Sequence, residues 1–211
     1  VTHLYFFRDA NILIILYFYM GLVLIKRQEN HVLGIWKIKE SLKEAIEVYS
    51  KPIPVEFKSE KRQLEYILTR LLLQQIDKEL IISYNQFGAP KLNDGRKISI
   101  SHSSDLIAVI ISEKKAAVDI EKISNKPLKI IHKFISNNDS ILDNKMEATL
   151  AWSAKEAVYK LHQRGEIDFK KDIIIQKIDT NKKQIHTTFQ KKNLVLNFQK
   201  INNHFLVYVC I

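Results

Sequence analysis

Acidic and basic side chains form two compact groups in this chain. The first contains Asp119 and Glu121, and the second, further along, contains Glu156 and Lys160. Carboxylates suit Mg²⁺, a hard cation that prefers oxygen ligands and keeps waters and substrate phosphates in its shell. A lysine one helical turn from such a carboxylate suits a phosphate oxygen. The two groups therefore indicate metal-assisted chemistry on a phosphate ester or anhydride.

The two groups belong to different kinds of secondary structure. Residues 116–120 are an apolar run typical of a strand, and at a period of two Asp119 and Glu121 project from the same face. The second group lies in a helical pattern, where Glu156 and Lys160 share a face. Structural alternatives remain open for both groups. A solvated strand edge accounts for the first, and a surface ion pair accounts for the second.

Two further motifs present polar groups at turns. Alternation along the strand before His102 puts its serines opposite its isoleucines, and Ser101, His102 and Ser103 open a turn rich in hydroxyl and backbone N–H groups. Such turns bind phosphate readily. Residues 88–90 predict a rigid turn that presents Lys91. An ordinary strand, turn and strand is the alternative for the first motif.

The composition is that of a globular protein with an acidic partner. Its 211 residues are 46% apolar and 27% charged, enough for one large domain or two small ones. The single Cys210 excludes an internal disulfide and predicts a reducing, cytoplasmic setting. The net charge of +10 favours nucleic acid, an anionic membrane, a polyanionic cofactor or an acidic protein as partner. A lysine-rich composition without functional meaning is the alternative.

The first 19 residues differ from the rest. The uncharged run over residues 12–25 is shorter than the roughly 20 residues that a membrane helix needs. It also lacks the basic leader and cleavage site of a signal peptide. Because Met20 looks like a natural start, we expect residues 1–19 to be a non-native or additional extension, and we expect no membrane partner. A genuine membrane anchor is the alternative.

Periodicity predicts an α+β protein of two similar halves. We expect these halves to cover residues 20–115 and 116–211 and to meet near residues 115–120. Helices are expected at 42–49, from Ser59 onward, at 128–134 and at 145–162 with Gly165 as the cap. Strands are expected at 22–26, 32–38, 97–101, 106–112, 116–120, 184–190, 194–200 and 205–210.

Together the motifs resemble the 4′-phosphopantetheinyl transferase superfamily. The likeness is to its larger, monomeric, surfactin-synthetase-activating type, and it spans about residues 55–170. Two positions depart from the family pattern: Ala117 stands where the family usually has Gly, and Ala89 stands where it often has Lys. The motifs that carry the likeness are Gly88-Ala89-Pro90-Lys91-Leu92, Ile98-Ser99-Ile100-Ser101-His102-Ser103, Val118-Asp119-Ile120-Glu121 and Trp152-Ser153-Ala154-Lys155-Glu156-Ala157-Val158-Tyr159-Lys160.

The resemblance implies a fold and an activity. The fold would be two pseudo-symmetric α/β halves, each an antiparallel-rich sheet with a packed long helix, with the active site at their interface. The enzyme would transfer the 4′-phosphopantetheine group of coenzyme A to a serine of an acidic apo acyl or peptidyl carrier protein and release 3′,5′-ADP. It would work as a monomer, with no nucleic acid as partner.

The resemblance also implies roles for individual residues. Mg²⁺ would be held by Asp119, Glu121 and Glu156, and Glu156 would be the general base. Lys160 would neutralise the pyrophosphate with Lys155 nearby. The remaining coenzyme A contacts would be His102, Ser101 and Ser103 at the 3′-phosphate, Arg62 and Arg70 at the nucleotide, and a basic contact moved to Lys91.

Two other functions stay open. The same carboxylates and lysines would serve a basic nucleic-acid-binding protein or a Mg²⁺-dependent nuclease, although no aromatic-plus-basic strand pattern is present. A non-catalytic relative that only binds coenzyme A or a carrier is the third possibility, because Ala117 replaces a family glycine.

Overall fold

The computed structural model describes residues 21–53, 56–140, 144–163 and 166–211. The expected extension at 1–19 and the expected cap Gly165 lie outside the described residues. Within the described part of the chain, no helix has both the length and the apolar character needed to span a bilayer. Its elements are β1 (Leu22–Arg27), β2 (His31–Lys37), α1 (Leu42–Tyr49), α2 (Glu60–Ile76), β3 (Ile82–Tyr84), β4 (Pro90–Leu92), β5 (Lys97–Ser103), β6 (Leu106–Ser112), β7 (Ala116–Lys122), α3 (Asn125–Lys129), α4 (Ile131–Phe134), α5 (Lys145–His162), β8 (Ile173–Asp179), β9 (Gln184–Phe189), β10 (Lys192–Ile201) and β11 (His204–Cys210).

The strands form two antiparallel sheets and a small ribbon. The first sheet has the order β1-β2-β6-β5, the second has the order β7-β11-β10-β9-β8, and β3 pairs only with β4. Sheet membership changes between Ser112 and Ala116, close to the expected boundary at residue 115. The mixed α+β class and the antiparallel sheets are confirmed. The division into two pseudo-symmetric halves stays a prediction.

Three apolar clusters stack the elements in layers. The first joins α2 to the outer face of the first sheet, with Leu68, Leu72 and Trp36 fully buried. The second joins α5 to the second sheet. The third lies between the two sheets and contains Ala108 and Val118. The order is therefore helix, sheet, sheet, helix, and burial of apolar area holds the layers together.

Local sequence signals set the ends of the helices. The expected capping box at α1 is present, because the Ser41 backbone N–H donates to Glu44 Oε2 at 2.8 Å and the Glu44 N–H donates to Ser41 Oγ. Ser59 caps α2 as expected. Asn144 Oδ1 accepts two backbone N–H bonds at the start of α5. That helix ends at Gln163, which has a left-handed φ of 58°.

All eight strand predictions are confirmed to within two residues at each end, but three of the described strands were missed. The missed strands are β3, β4 and β8. The expected turn at residues 88–90 runs directly into β4. The Gly and Pro residues of that turn explain why β4 was not recognised as a strand. The single expected helix at 128–134 is two short helices, α3 and α4, with Ile130 between them in a non-helical conformation.

Candidate active site

Strand β7 and helix α5 bring the two charged groups of the sequence together. Lys160 Nζ lies 2.7 Å from Asp119 Oδ1. Ser153, one turn of α5 before Glu156, donates its hydroxyl proton to Asp119 Oδ2 at 2.7 Å. The alternation of side chains along β7 and the helical repeat of α5 therefore direct these polar side chains towards one another.

Asp119 is a buried carboxylate with three partners. Its residue is only 2% exposed. Besides Lys160 and Ser153, it accepts a hydrogen bond from Ser101 Oγ at 2.8 Å. Lys160 Nζ donates to the same serine oxygen at 2.9 Å and to the Val118 carbonyl at 3.4 Å. A carboxylate removed from water must be compensated in this way, because an unpaired buried charge is strongly unfavourable.

The other two carboxylates belong to the same electrostatic group. Burial, and then the charge of Asp119, raise the pKa of Glu121. Burial, followed by the charge of Asp119, raises the pKa of Glu156 to about 7, with Lys160 acting in the opposite direction and Glu121 adding to the rise. Carboxylates raise one another's pKa in this way only when they lie close together. The sequence interpretation of one joint acidic group is consistent with these shifts.

The chemistry of this group suits a divalent cation. Asp119, Glu121 and Glu156 supply the hard oxygen donors that Mg²⁺ prefers, and a cation would offset the repulsion that raises the last two pKa values. In the present side-chain positions Lys160 Nζ donates a hydrogen bond to Asp119 Oδ1, an oxygen that a metal ion would need. Among the described residues, no three or more His, Cys, Asp and Glu side chains are arranged as a ready metal centre. Metal binding therefore requires these side chains to reorient.

A cavity of about 480 Å³ lies between α2 and β5. His102 lines it, and His102 Nε2 lies 3.0 Å from Thr69 Oγ1 of α2. Burial, and then the charges of Lys160 and Arg62, lower the pKa of His102 to about 4. The imidazole is therefore neutral at pH 7 and interacts through hydrogen bonds rather than through charge.

Charged side chains of both signs line this cavity: Arg62, Arg70 and Lys58, with Glu56 and Glu65. The Arg70 guanidinium lies 3.3 Å from the centre of the Tyr66 ring and donates to the Tyr66 carbonyl at 3.2 Å. Arg62 donates to Glu65 Oε2 at 3.1 Å, and its side chain is 70% exposed. Both line the cavity together with His102, so three of the predicted coenzyme A contacts face one space.

Comparison with known proteins relates part of the chain to a family. Residues 116–210 match the sequence model of the 4′-phosphopantetheinyl transferase superfamily. This segment contains Asp119, Glu121, Glu156 and Lys160. Residues 116–210 belong to that superfamily. Over 139 residues the chain is also 26% identical to the 4′-phosphopantetheinyl transferase gsp of Aneurinibacillus migulanus. The aligned region covers 61% of this chain and 56% of that protein. The chain thus spans little more than half the length of this curated relative.

Ala117, the departure from the transferase family pattern, lies inside the core of the superfamily segment. It is fully buried in the cluster that joins β7 to α5. The same cluster contains Ala154 and Ala157 of α5. The Ala117 methyl group is therefore part of an apolar cluster that also contains small side chains of α5.

Lys155 of the transferase motif is separated from the acidic group. Its side chain is fully buried, and Lys155 Nζ lies 2.9 Å from Asp139 Oδ1. It also donates to the carbonyls of Phe169 and Ile173 at 2.9 and 2.6 Å. The expectation that Lys155 contacts coenzyme A is therefore corrected: its ammonium is saturated by protein acceptors and faces the opposite side of α5.

Three other residues that the sequence predicted to contact coenzyme A also have partners or positions that differ from expectation. Lys91 is exposed and borders a separate cavity of about 230 Å³ next to Arg96, away from His102. The hydroxyl protons of Ser101 and Ser103 are donated to Asp119 and Glu121, at 2.8 and 3.0 Å. These two serines therefore contact the acidic group instead of presenting free donors to a phosphate.

Sequence reasoning missed two polar residues of the candidate site. Ser153 precedes Glu156 by three residues, so helical spacing alone was enough to place it on the same face of α5. Thr69 carried no such signal. Its contact with His102 joins residues 33 positions apart, and it donates to the Glu65 carbonyl at 2.6 Å within α2. A pairing of this kind is set only by the packing of α2 on β5.

Proposed function

We propose that the protein transfers the 4′-phosphopantetheine group of coenzyme A to a serine hydroxyl of an apo carrier protein, with Mg²⁺ as cofactor and 3′,5′-ADP as the second product. One observation carries this proposal. Lys160 lies 2.7 Å from Asp119, and the charge of Asp119 contributes to the raised pKa values of Glu121 and Glu156. The charge of Lys160 also acts on His102, which lines a cavity together with two arginines. The superfamily membership of residues 116–210 supports the same reaction.

The cavity between α2 and β5 suits the nucleotide part of coenzyme A. Coenzyme A carries a 3′-phosphate and a pyrophosphate, so its nucleotide end needs several cationic or hydrogen-bonding groups. Arg62 and Arg70 supply positive charge. In the tautomer with its proton on Nδ1, neutral His102 donates a hydrogen bond to the 3′-phosphate, while Thr69 turns its hydroxyl proton to His102 Nε2. Lys160, whose charge acts on His102, is assigned to the pyrophosphate.

The reaction forms one P–O bond and breaks another. The carrier serine oxygen bonds to the phosphorus that bears the pantetheine arm, and the bridging P–O bond of the pyrophosphate breaks. Glu156 accepts the proton of the serine hydroxyl, directly or through a water molecule. Lys160 offsets the charge that grows on the departing phosphate. Mg²⁺, held by Asp119, Glu121 and Glu156, would supply Lewis-acid stabilisation of the same oxygens.

The two sheets provide a physical basis for the two-half arrangement. In our proposal residues 20–115 supply the cavity and residues 116–211 supply the acidic group, so the active site lies between the halves and one chain is sufficient. Carrier proteins of this chemistry are acidic. The net charge of +10 therefore favours their approach to the enzyme.

Mass spectrometry of carrier proteins tests this proposal. Apo acyl and peptidyl carriers would be incubated with the protein, coenzyme A and Mg²⁺. We expect one carrier to gain the mass of one phosphopantetheine arm, only when Mg²⁺ is present, and a serine-to-alanine carrier to gain nothing. Failure with carriers from fatty-acid, polyketide and peptide synthesis, together with a DNA or RNA gel shift, would favour the nucleic-acid alternative.

A further inference from the structure

Strand β7 is an edge strand of the second sheet, and its open edge lies against β5 of the first sheet. An edge strand exposes a row of backbone N–H groups that its own sheet does not pair. Here three serine hydroxyls of β5 accept these N–H groups. The pairs are Ser99 Oγ with Val118 N at 3.1 Å, Ser101 Oγ with Ile120 N at 3.2 Å and Ser103 Oγ with Lys122 N at 2.9 Å.

These contacts form a regular ladder, which we name the serine seam (Ser99, Ser101 and Ser103 with the β7 N–H groups). Every pair is separated by 19 residues, so the two strands run in the same direction and stay in one register. Ser99 and Ser101 are each only 5% exposed. A buried backbone N–H that lost its serine would be unpaired, so the seam fixes how β7 lies on the first sheet.

The hydroxyl protons of the seam distinguish its three members. Ser101 donates to Asp119 Oδ1 at 2.8 Å, and Ser103 donates to Glu121 Oε2 at 3.0 Å. Ser99, in contrast, donates only to a backbone carbonyl of β7, at 3.5 Å. Two seam serines thus hold a backbone N–H and a carboxylate at the same time, whereas the third holds backbone alone.

We propose that Ser101 and Ser103 are positioning residues. Through their hydrogen bonds, the position of β5 in the first sheet sets the orientation of the Asp119 and Glu121 carboxylates. Each hydroxyl accepts from one β7 residue and donates to the side chain of the preceding residue, so the carboxylate orientation is tied to the strand register. Outer groups that hold ligating carboxylates in this way tune metal affinity. This inference rests on the proposed function for its metal-binding consequence, but not for the seam itself.

Ser103→Ala and Ser99→Ala are the matched pair of variants that test the inference. Both remove one seam hydroxyl, but only Ser103→Ala removes a carboxylate donor. Ser103→Thr keeps the hydroxyl and serves as the rescue variant. The first measurement is amide hydrogen exchange by NMR on the metal-free protein. The second is the Mg²⁺ concentration that gives half-maximal transfer.

We expect the amides of Val118, Ile120 and Lys122 to be protected in the unsubstituted protein. Ser99→Ala should expose only the first of these amides, and Ser103→Ala only the last. We also expect Ser103→Ala to raise the half-saturating Mg²⁺ concentration about tenfold, while Ser99→Ala leaves it unchanged and Ser103→Thr restores it.

Two outcomes would overturn the inference. One is rapid exchange of all three β7 amides in the unsubstituted protein, which would remove the seam. The other is an equal shift of the Mg²⁺ requirement in both alanine variants, which would make the serines purely structural. If the unsubstituted protein transfers nothing while its β7 amides are protected, the proposed function fails and the seam stands. If a substitution prevents folding, exchange in the threonine variant decides.

Discussion

Lys160 Nζ lies 2.7 Å from Asp119 Oδ1, yet the two side chains differ sharply in exposure. The lysine side chain is 26% exposed, whereas the aspartate side chain is 3% exposed. The carboxylate is therefore fixed in the protein interior while the ammonium reaches the open side of the site. Lys160 is placed to turn from the protein anion to a substrate anion.

Lys160→Met should lower kcat/KM for transfer by about 100- to 1,000-fold, since a preorganised cation at the departing phosphate would be lost. Steady-state kinetics with coenzyme A and a carrier measures this loss. Lys160→Arg should retain part of the activity because it keeps the charge but changes its geometry. Near-normal transfer by the methionine variant would exclude a catalytic role for this lysine.

Glu156 should make the stability of the metal-free protein depend on pH. Its folded-state pKa is about 7, against an ordinary value of 4.5. Its stabilising contribution is therefore complete below pH 4.5 and is lost as the pH rises through 7. Glu156→Gln removes this titration. The difference in unfolding free energy between the variant and the unsubstituted protein should therefore shift in favour of the variant by about 2 to 3 kcal/mol between pH 4.5 and pH 8. Denaturant unfolding at both pH values measures this change, and an equal difference at both would contradict it.

His102→Ala should weaken the use of coenzyme A without changing the chemical step. A neutral imidazole contributes one hydrogen bond to the 3′-phosphate, so we expect KM for coenzyme A to rise about tenfold with kcat little changed. Dephospho-coenzyme A, which lacks the 3′-phosphate, is the matched substrate. Its KM should be the same for both proteins, and an equal loss with both substrates would place His102 elsewhere.

Lys155→Met should destabilise the protein rather than impair coenzyme A binding. Its partner Asp139 also accepts hydrogen bonds from Ser136 and Ile175, and removal of the ammonium leaves this buried carboxylate without its counter-charge. Loss of one member of a buried pair costs about 3 to 5 kcal/mol. Denaturant unfolding measures this loss, with Lys91→Met, at an exposed lysine, as the control that should lose little. A fully stable Lys155→Met variant with a raised KM for coenzyme A would restore the original expectation.

Rising salt should weaken carrier binding more than coenzyme A binding. Steering between a chain of net charge +10 and an acidic carrier acts over long distances. Such interactions are screened beyond a Debye length of about 10 Å at 0.1 M salt. Contacts inside the cavity are shorter and partly buried, so they are screened less. A carrier KM that does not change between low and high salt would contradict this prediction.

The three strands that the sequence did not predict lack the local pattern by which a strand is recognised. Strands β3 and β4 are only three residues each and pair only with one another. Period-two alternation cannot be recognised over so short a length. Strand β8 lies at the outer edge of the second sheet, and its pairing with β9 contains a register irregularity after Ile175. Its pattern is therefore set by sheet packing as well as by sequence.

The sequence by itself determined the chemistry of the acidic group and the elements that carry it. Helix α5 begins and ends at the predicted residues, and Asp119 shares its β7 face with Glu121, because helical and strand periodicity depend on neighbours only a few residues apart. The tertiary structure decided which polar groups each side chain meets. Lys155 lies one residue before Glu156, yet it turns to a distant aspartate, and the seam serines turn to carboxylates rather than to solvent. Such choices depend on how sheets and helices pack, because residues far apart in the chain become neighbours only when the layers come together.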